Sequence, residues 1–192
     1  QLPDLDKADS VVLQVADASG RVVRTLTSRK DTTIARWAGG PPPAPSLPRA
    51  PGLNRFVWDL RHETLPGVPG VYVEANYRGH QVAPGRYRIT LSASGTSATT
   101  DVSILPNPLY ATDAATYAEY DAFMSEMERA LTTMHKTVNT LTDLQKQLET
   151  VGGTLASDPR FTDVKHRADS LMARIKAWDA DMVSRRSRAY DD

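Results

Sequence analysis

The sequence has no cysteine, no long apolar run and no excess of charge of either sign. Without cysteine there can be no disulfide, no thiolate nucleophile and no cysteine-ligated zinc, although this absence alone leaves the cellular compartment open. No stretch approaches the roughly 18 apolar residues that a membrane span needs. Lysine plus arginine number 23 and aspartate plus glutamate also number 23, so no overall field attracts nucleic acid. We therefore expect neither a transmembrane segment nor nucleic-acid binding.

The chain changes character near residues 104–109, which read ILPNPL. Most glycines and nearly all prolines come before this point, among short alternating apolar runs, whereas the pattern after it is helical. This shift predicts two domains, residues 1–107 and 108–192. The start at Gln1, without an initiating methionine or a basic leader, leads us to expect a fragment of a longer protein.

The first half alternates apolar and polar residues, as half-buried strands do. Strands are predicted at residues 11–16, 22–26, 55–60, 71–73, 86–91 and 101–105, with turns at 17–20 and 94–95. The proline-rich stretch 38–51 is predicted to be a loop, because proline cannot donate to a ladder. Since no helical pattern separates the strands, we expect an immunoglobulin-like antiparallel β-sandwich. Trp58 and Tyr87 alternate inward and are predicted to lie in its core.

The second half predicts a long antiparallel helical hairpin, which makes the whole chain α+β, mainly β and then α. The first helix, about 113–151, is capped by Thr112 or Asp113 and ends at Gly152-Gly153. The second, about 158–187, opens at Ser157-Asp158-Pro159. The apolar seam of the first helix has a 3-4 spacing; its members are Tyr117, Tyr120, Met124, Met127, Leu131, Met134, Val138, Leu141 and Leu148.

Three further apolar residues, Phe123, Leu144 and Val151, widen this seam beyond what a two-helix contact covers. Our hypothesis is that this surplus face packs on the sandwich, on another domain of the parent protein, or on a second copy.

The charged residues near His62 do not predict an active site. His62-Glu63 resembles the start of a zinc-protease helix motif, but Pro66 stands where the second histidine must be. We interpret Asp59, Arg61, His62 and Glu63 as a charged sheet edge with an arginine–carboxylate contact. Three aspartates near the N-terminus, at positions 4, 6 and 9, lack the glycine and the distal glutamate of a calcium loop.

No other constellation predicts catalysis, a cofactor or a metal site. The remaining histidines, His80, His135 and His166, are scattered, and no serine has a nucleophile-elbow context. The available carboxylates are Asp59, Glu63, Glu74 and Asp101, and sequence cannot bring two of them together across a cleft. Trp37, Tyr72 and Tyr77 remain candidate exposed aromatics for stacking on sugar rings.

Three stretches carry a resemblance to a known family: residues 11–26 (VVLQVADASGRVVRTL), 52–61 (GLNRFVWDLR) and 83–87 (APGRY). They resemble the immunoglobulin-like module of flagellar hook-capping proteins. More closely, they resemble the C-terminal region of bacterial glycosyl hydrolases with BNR or sortilin-like repeats. The resemblance covers about residues 8–105 and the helical part loosely.

The resemblance implies an exported protein, periplasmic or extracellular, in which a β-propeller precedes this module. It carries over no catalytic residue, because the hydrolase chemistry of such proteins would lie in the propeller. We therefore expect a non-catalytic accessory or assembly module that contacts the upstream propeller or a second copy. Carbohydrate binding by exposed aromatics and a hydrolase with an unrecognised carboxylate site are the alternatives.

Overall fold

A computed structural model describes residues 1–6, 9–30, 37, 39–73, 76–155 and 158–186. The chain forms two compact units. The first comprises Gln1–Ala35, Pro41–Leu65 and Tyr77–Arg129, and the second comprises Arg36–Gly40, Pro66–Asn76 and Ala130–Asp192. The division at residue 107 drawn from composition stays a prediction, and each unit is described below by itself.

The first unit contains an open sheet of four antiparallel strands. These are β1 (Val12–Asp17), β2 (Val22–Thr27), β3 (Gly85–Ala93) and β4 (Thr96–Ile104), in the order β2-β1-β3-β4. The predicted strands at 11–16, 22–26, 86–91 and 101–105 are thereby confirmed, with β4 starting five residues earlier than predicted. Burial differs between the strands: Val15 in β1 and Tyr87 in β3 are buried between more exposed neighbours, β2 buries both Val23 and Arg24, and β4 is exposed from Thr96 to Asp101.

The turn between β1 and β2 follows from its residues. Gly20 adopts a positive φ of 86°, which a glycine reaches without steric cost. The Asp17 carboxylate accepts hydrogen bonds from the backbone N–H groups of Ser19 and Arg21, at 2.9 and 3.1 Å. This Asx-type turn fixes the register of the hairpin.

Two apolar clusters lie against the sheet. One consists of Val15, Val23, Val82 and Tyr87, with Trp58 packed at its edge. Trp58 and Tyr87 are therefore core residues, as predicted. The other cluster is Val11, Leu26 and Leu47. The buried Leu47 comes from the proline-rich loop, which is irregular over its described residues. A hydrogen bond from Leu47 N to Thr27 O, 3.1 Å long, attaches the loop to β2.

The predicted strands at 55–60 and 71–73 are wrong, because neither stretch pairs in a ladder. In the first stretch Phe56 and Trp58 are half-buried while Val57 is 72% exposed, so the predicted alternation of faces is present. This segment packs one face on the core, but its backbone forms no ladder of hydrogen bonds with a neighbouring strand. Side-chain alternation reports burial, and burial alone does not create a ladder.

The first helix begins within one residue of the predicted start, whereas the second begins at Thr162 instead of about 158 and both end elsewhere than predicted. Helix α1 spans Ala114–Leu155, with Thr116 N donating to the Asp113 carboxylate at 2.8 Å, so Asp113 rather than Thr112 caps it. Gly152 and Gly153 lie inside the last turns and do not end the helix. A glycine inside a helix lowers helix stability by only about 1 kcal/mol relative to alanine, and the many preceding turns of α1 offset this cost. Residues up to Arg129 belong to the first unit and those from Ala130 to the second.

In the second unit, Asp158 caps a single 3-10 turn, Pro159–Phe161, by accepting from Arg160 N. Helix α2 follows at Thr162–Met182. It ends five residues before the predicted boundary at 187, because Val183 is extended; Ser157 and residue 187 lie outside the described residues. No described helix combines the length and apolarity that membrane crossing requires.

The buried face of α1 differs from the predicted seam. Six members of the predicted seam are half-buried or buried, as expected, and three are not; the six are Tyr117, Met124, Leu131, Val138, Leu141 and Leu148. The three exposed members are Tyr120, Met127 and Met134, at 42, 44 and 47%. The other half of the packed face is polar and consists of Asp121, Glu128, His135 and Thr142. Helix α1 therefore packs through a mixed face and leaves an apolar one outside.

The hydroxyl of Tyr87 donates to Ala83 O at 2.7 Å, four residues upstream. We expect Tyr87→Phe to lower the free energy of unfolding by about 1 to 2 kcal/mol, since a part-buried hydrogen bond is lost and its acceptor left unpaired. Urea unfolding measures this difference. Tyr110→Phe is the control, because Tyr110 is 67% exposed; an equal effect of the two changes would contradict the structural role of the Tyr87 hydroxyl.

Candidate functional site

The first unit buries two histidines on adjacent loop segments, residues 60–65 and 77–82. The segments run antiparallel, with bonds from Val82 N to Leu60 O at 2.9 Å, His62 N to His80 O at 3.0 Å and Leu65 N to Tyr77 O at 2.7 Å. His62 and His80 stand at the centre of this pairing, and their side chains are 10 and 0% exposed. Two sequence-distant histidines are thus brought together in the interior.

Gly79 makes this close approach possible. A Cβ at position 79 would lie 2.5 Å from Glu63 O and 2.8 Å from His62 Cβ. The Gly79 carbonyl also accepts from the Arg61 guanidinium at 3.0 Å. Only a residue without a side chain lets the two segments touch at this point.

The two imidazole rings stack, and one carboxylate of α1 faces both of them. Their centroids are 3.8 Å apart with 23° between the planes. Asp121 Oδ1 lies 3.2 Å from His80 Nε2 and 3.5 Å from His62 Nε2. The Tyr120 ring meets His80 edge-on at 5.8 Å. Asp121 therefore joins the first turns of α1 to both loop segments.

Arg21 holds the other oxygen of this carboxylate. Its Nη2 donates to Asp121 Oδ2 at 2.7 Å, its Nε donates to Asp17 at 2.8 Å, and its Nη1 donates to Ser125 Oγ at 3.0 Å. Burial acts to raise the pKa of Asp121, but the bonds from Arg21 and His80 outweigh it and hold that pKa below its usual value. Asp121 is therefore an anion at neutral pH.

Glu128, two turns along α1, faces the other side of His80. Its Oε1 accepts from the His80 backbone N–H and lies 2.9 Å from His80 Nδ1, although the ring nitrogen is not aligned for a hydrogen bond. On the His62 side, Arg24 is buried and donates from Nη1 to His62 O at 2.7 Å. Burial, followed by the charge of the neighbouring His80, lowers the pKa of His62, so its imidazole is neutral at pH 7. The site thus combines a neutral imidazole with two carboxylates.

The interpretation of residues 59–63 as a charged sheet edge is therefore wrong for His62, which is buried. It holds for Glu63, whose carboxylate is more than half exposed and lies 3.7 Å from the Arg24 guanidinium. His135 and His166 stay apart from this cluster: His135 contacts Pro66 O in the second unit, and His166 is exposed on α2. Of the three N-terminal aspartates, Asp4 and Asp6 are exposed, whereas Asp9 is half-buried and accepts a hydrogen bond from Ser94 Oγ.

The three candidate sugar-stacking aromatics fall in different surroundings. Tyr77 was predicted to be exposed and is 3% exposed, so the prediction is wrong: its ring is buried beside the 60–65 segment. Tyr72 is exposed, and Trp37 is half-buried with its ring against Gly40. Tyr77 belongs to the first unit and the other two to the second.

The three residues of the surplus helix face are all wholly or partly accessible. Phe123 is 63% exposed in the first unit, while in the second unit Leu144 is half-buried and Val151 is 47% exposed. Phe123 therefore does not pack on the sheet of the first unit. For this residue, the hypothesis that the surplus face packs on the sandwich is wrong.

Of the remaining candidate carboxylates, Asp59 and Asp101 are exposed. A depression of about 450 Å³ lies beside β1 and β3, with Asp17 and Asp101 in its lining. Hydrogen bonds from Arg88 lower the pKa of Asp101. Burial acts to raise the pKa of Asp17, but hydrogen bonds from Ser19 and Arg21 outweigh it and lower that pKa. Neither can act as a general acid at neutral pH. Glu74 lies outside the described residues.

The sequence analysis missed His80, Asp121 and Glu128 as members of one site. A signal was present in α1: Asp121, Ser125 and Glu128 follow the i, i+4, i+7 spacing of one helix face, at which polar side chains interrupt the apolar pattern.

Comparisons with protein-family models, with curated protein sequences and with solved structures find no match to this chain. The geometry therefore carries the functional argument.

Proposed function

We propose that this chain is a non-catalytic accessory module of an exported β-propeller protein, and that the exposed apolar face at the start of α1 contacts the propeller. The observation that carries the proposal is this face in the first unit, formed by Tyr120, Phe123 and Met127 at 42, 63 and 44% exposure. Their i, i+3, i+7 spacing places them on one stripe of the helix. A stripe of this kind, bordered by charged residues, is typical of a protein contact.

The packing of α1 explains why the stripe is available. In the first unit the helix is held by Arg21, which donates to Asp121 and Ser125, and by the backbone N–H of His80, which donates to Glu128. Of the three apolar stripe residues, Tyr120 also meets the His80 ring edge-on, whereas Phe123 is 63% exposed. Large aromatic and methionine side chains left outside a satisfied polar contact are suited to a second partner, in which such residues dominate the binding energy.

We further propose that the sheet belongs to an immunoglobulin-like sandwich and that the helices of the second unit form an antiparallel hairpin. The hydrogen bond from Tyr87 to Ala83 supports the first point, because a tyrosine near a strand start that bonds a few residues upstream is typical of such sandwiches. The 3.6 Å pair of Glu149 and Lys176 and the burial of Ile175 support the second. Export to the periplasm or cell exterior belongs to the same proposal.

The two alternatives have less support. An aromatic sugar platform loses Tyr77 to the interior. A hydrolase needs one carboxyl held neutral, and the pKa values of Asp17 and Asp101 beside the depression are both lowered. A contact role needs neither feature.

The substitution Phe123→Asp tests the proposed contact. We expect it to weaken binding of this chain to the separately produced preceding part of its parent protein by at least about tenfold, because an exposed aromatic at the centre of an interface commonly contributes 2 kcal/mol or more. Calorimetric titration measures the affinity. The fold should be unchanged, since Phe123 is already exposed.

Val57→Asp is the matched control, because Val57 is a still more exposed apolar residue of the same unit. It should bind with unchanged affinity. The proposal would be overturned if the preceding reading frame encoded no exported propeller, or if both variants bound that part as tightly as the original chain.

A further inference from the structure

We propose that His62, His80 and Asp121 form a binding site for a divalent transition-metal ion of the zinc class. The three residues offer two imidazole nitrogens and one carboxylate oxygen, all within 4.8 Å of one another. Two histidines and a carboxylate are a common protein ligand set for zinc. The site lies wholly within the first unit and is independent of the proposed helix contact.

The distances between the donor atoms fit one small ion. Ligand bonds of 2.0 to 2.1 Å in a tetrahedron place neighbouring donor atoms about 3.3 to 3.4 Å apart. Asp121 Oδ1 lies 3.2 Å from His80 Nε2 and 3.5 Å from His62 Nε2. Two of the three ligand-to-ligand edges are therefore within about 0.1 Å of the required length.

Buried nitrogen atoms at this point lack the partners that such atoms normally have. His62 Nε2 is fully buried and has no hydrogen-bond partner among the described residues, although it points at Asp121. Buried polar atoms of side chains are nearly always paired, because leaving one unpaired costs about 1 to 3 kcal/mol. His62 Nε2 and Asp121 Oδ1 face each other across 3.5 Å. A bound metal ion satisfies both atoms at once.

The surrounding residues provide the outer layer that metal-ligating side chains usually have. Glu128 Oε1 lies 2.9 Å from His80 Nδ1, so a small turn of the ring forms the carboxylate–histidine pair that directs the opposite nitrogen toward the ion. Arg21 occupies Asp121 Oδ2 and leaves Oδ1 for coordination. The carboxylates of Asp17, Asp121 and Glu128 outnumber the facing Arg21 guanidinium, so a dication is electrostatically accommodated.

The chemistry of the donors sets the class of ion. Calcium and magnesium prefer six or more oxygen ligands, and imidazole nitrogen favours zinc, copper, nickel or cobalt. The ring centroids of His62 and His80 are 3.8 Å apart. Coordination requires that the two rings rotate about their Cβ–Cγ bonds until the lone pairs of both Nε2 atoms point at the ion. The site would then fasten the first turns of α1 to the 60–65 and 77–82 segments.

Titration of the chelator-treated chain with Co²⁺ and Zn²⁺ tests the site. We expect one ion per chain, visible absorption typical of tetrahedral Co²⁺, and displacement of that absorption by Zn²⁺. The nearly isosteric Asp121→Asn should reduce Zn²⁺ affinity by more than about 100-fold, and Glu128→Gln by about 10- to 100-fold, as expected for ligand and outer-layer residues. His62→Ala and His80→Ala should abolish the absorption.

His166→Ala is the control, because this histidine is exposed on α2. It should leave the stoichiometry and affinity unchanged. Circular dichroism identifies any variant that fails to fold, and in that case the comparison of the original chain with Asp121→Asn decides. The inference would be overturned by an octahedral Co²⁺ spectrum, or by equal Zn²⁺ affinities of the original chain and Asp121→Asn.

Discussion

Gly79→Ala is expected to destabilise the first unit by about 3 kcal/mol or more, because the new methyl group would enter occupied space. Its Cβ would lie 2.5 Å from Glu63 O and 2.7 Å from His62 C. These are backbone atoms, which cannot turn aside as the end of a flexible side chain can. The 60–65 and 77–82 segments would have to separate, and the stacked histidines with them.

The effect is measurable by urea unfolding followed through Trp58 fluorescence, in a background where Trp37 and Trp178 of the second unit are replaced by phenylalanine. Gly85→Ala is the matched control in the same unit, because the nearest atom to its added Cβ is 3.9 Å away. We expect the control to stay within about 0.5 kcal/mol of the original chain. Similar losses for both variants would mean that the segments do not approach as described.

Val15→Ala is expected to lower the free energy of unfolding of the first unit by about 2 to 3 kcal/mol. Val15 is fully buried in β1, between β2 and β3, and packs with Val23, Val82 and Tyr87. Removal of two methyl groups loses about 0.8 kcal/mol each in transfer free energy, and the residual cavity adds to this loss.

Val57→Ala provides the comparison, because it removes the same two methyl groups from a side chain that is 72% exposed. Its effect should be within about 0.5 kcal/mol of zero. Both variants are followed by the same fluorescence signal. Equal destabilisation by the two would contradict the assignment of Val15 to the core and of Val57 to the surface.

The sheet could be predicted from sequence because local patterns specify it. In β3, Tyr87, Ile89 and Leu91 alternate with polar neighbours, and Gly20 marks the turn between β1 and β2. The irregular segment with Trp58 shows the same alternation, which predicts a strand, but it has no ladder pairing. Burial on one face leaves the same pattern in both cases.

The buried cluster could not be predicted in the same way. His62 and His80 meet only because residues 60–65 and 77–82 pair across an irregular stretch, with Gly79 at the point of contact. Asp121 reaches them from a helix whose apolar stripe suggested a different packing face. Sequence periodicity identified the helix correctly but assigned its contacts to the apolar side, because it weighs apolar residues alone.

In the first unit, helix α1 has a polar side that packs inside and an apolar side that is exposed. The polar side, with Asp121 and Glu128, is held inside by Arg21 and His80. The apolar side, with Phe123, faces outward. A helix anchored by charges in this way can present aromatic side chains to a partner without losing its own packing.

The absence of cysteine from the chain permits a direct measurement of this arrangement. Phe123→Cys introduces a single thiol whose labelling rate is compared between the isolated chain and the complete parent protein. We predict rapid labelling in the isolated chain and strong protection in the parent protein, with Val57→Cys labelled rapidly in both. Slow labelling of position 123 in the isolated chain, or equally rapid labelling in both forms, would contradict the proposed contact face.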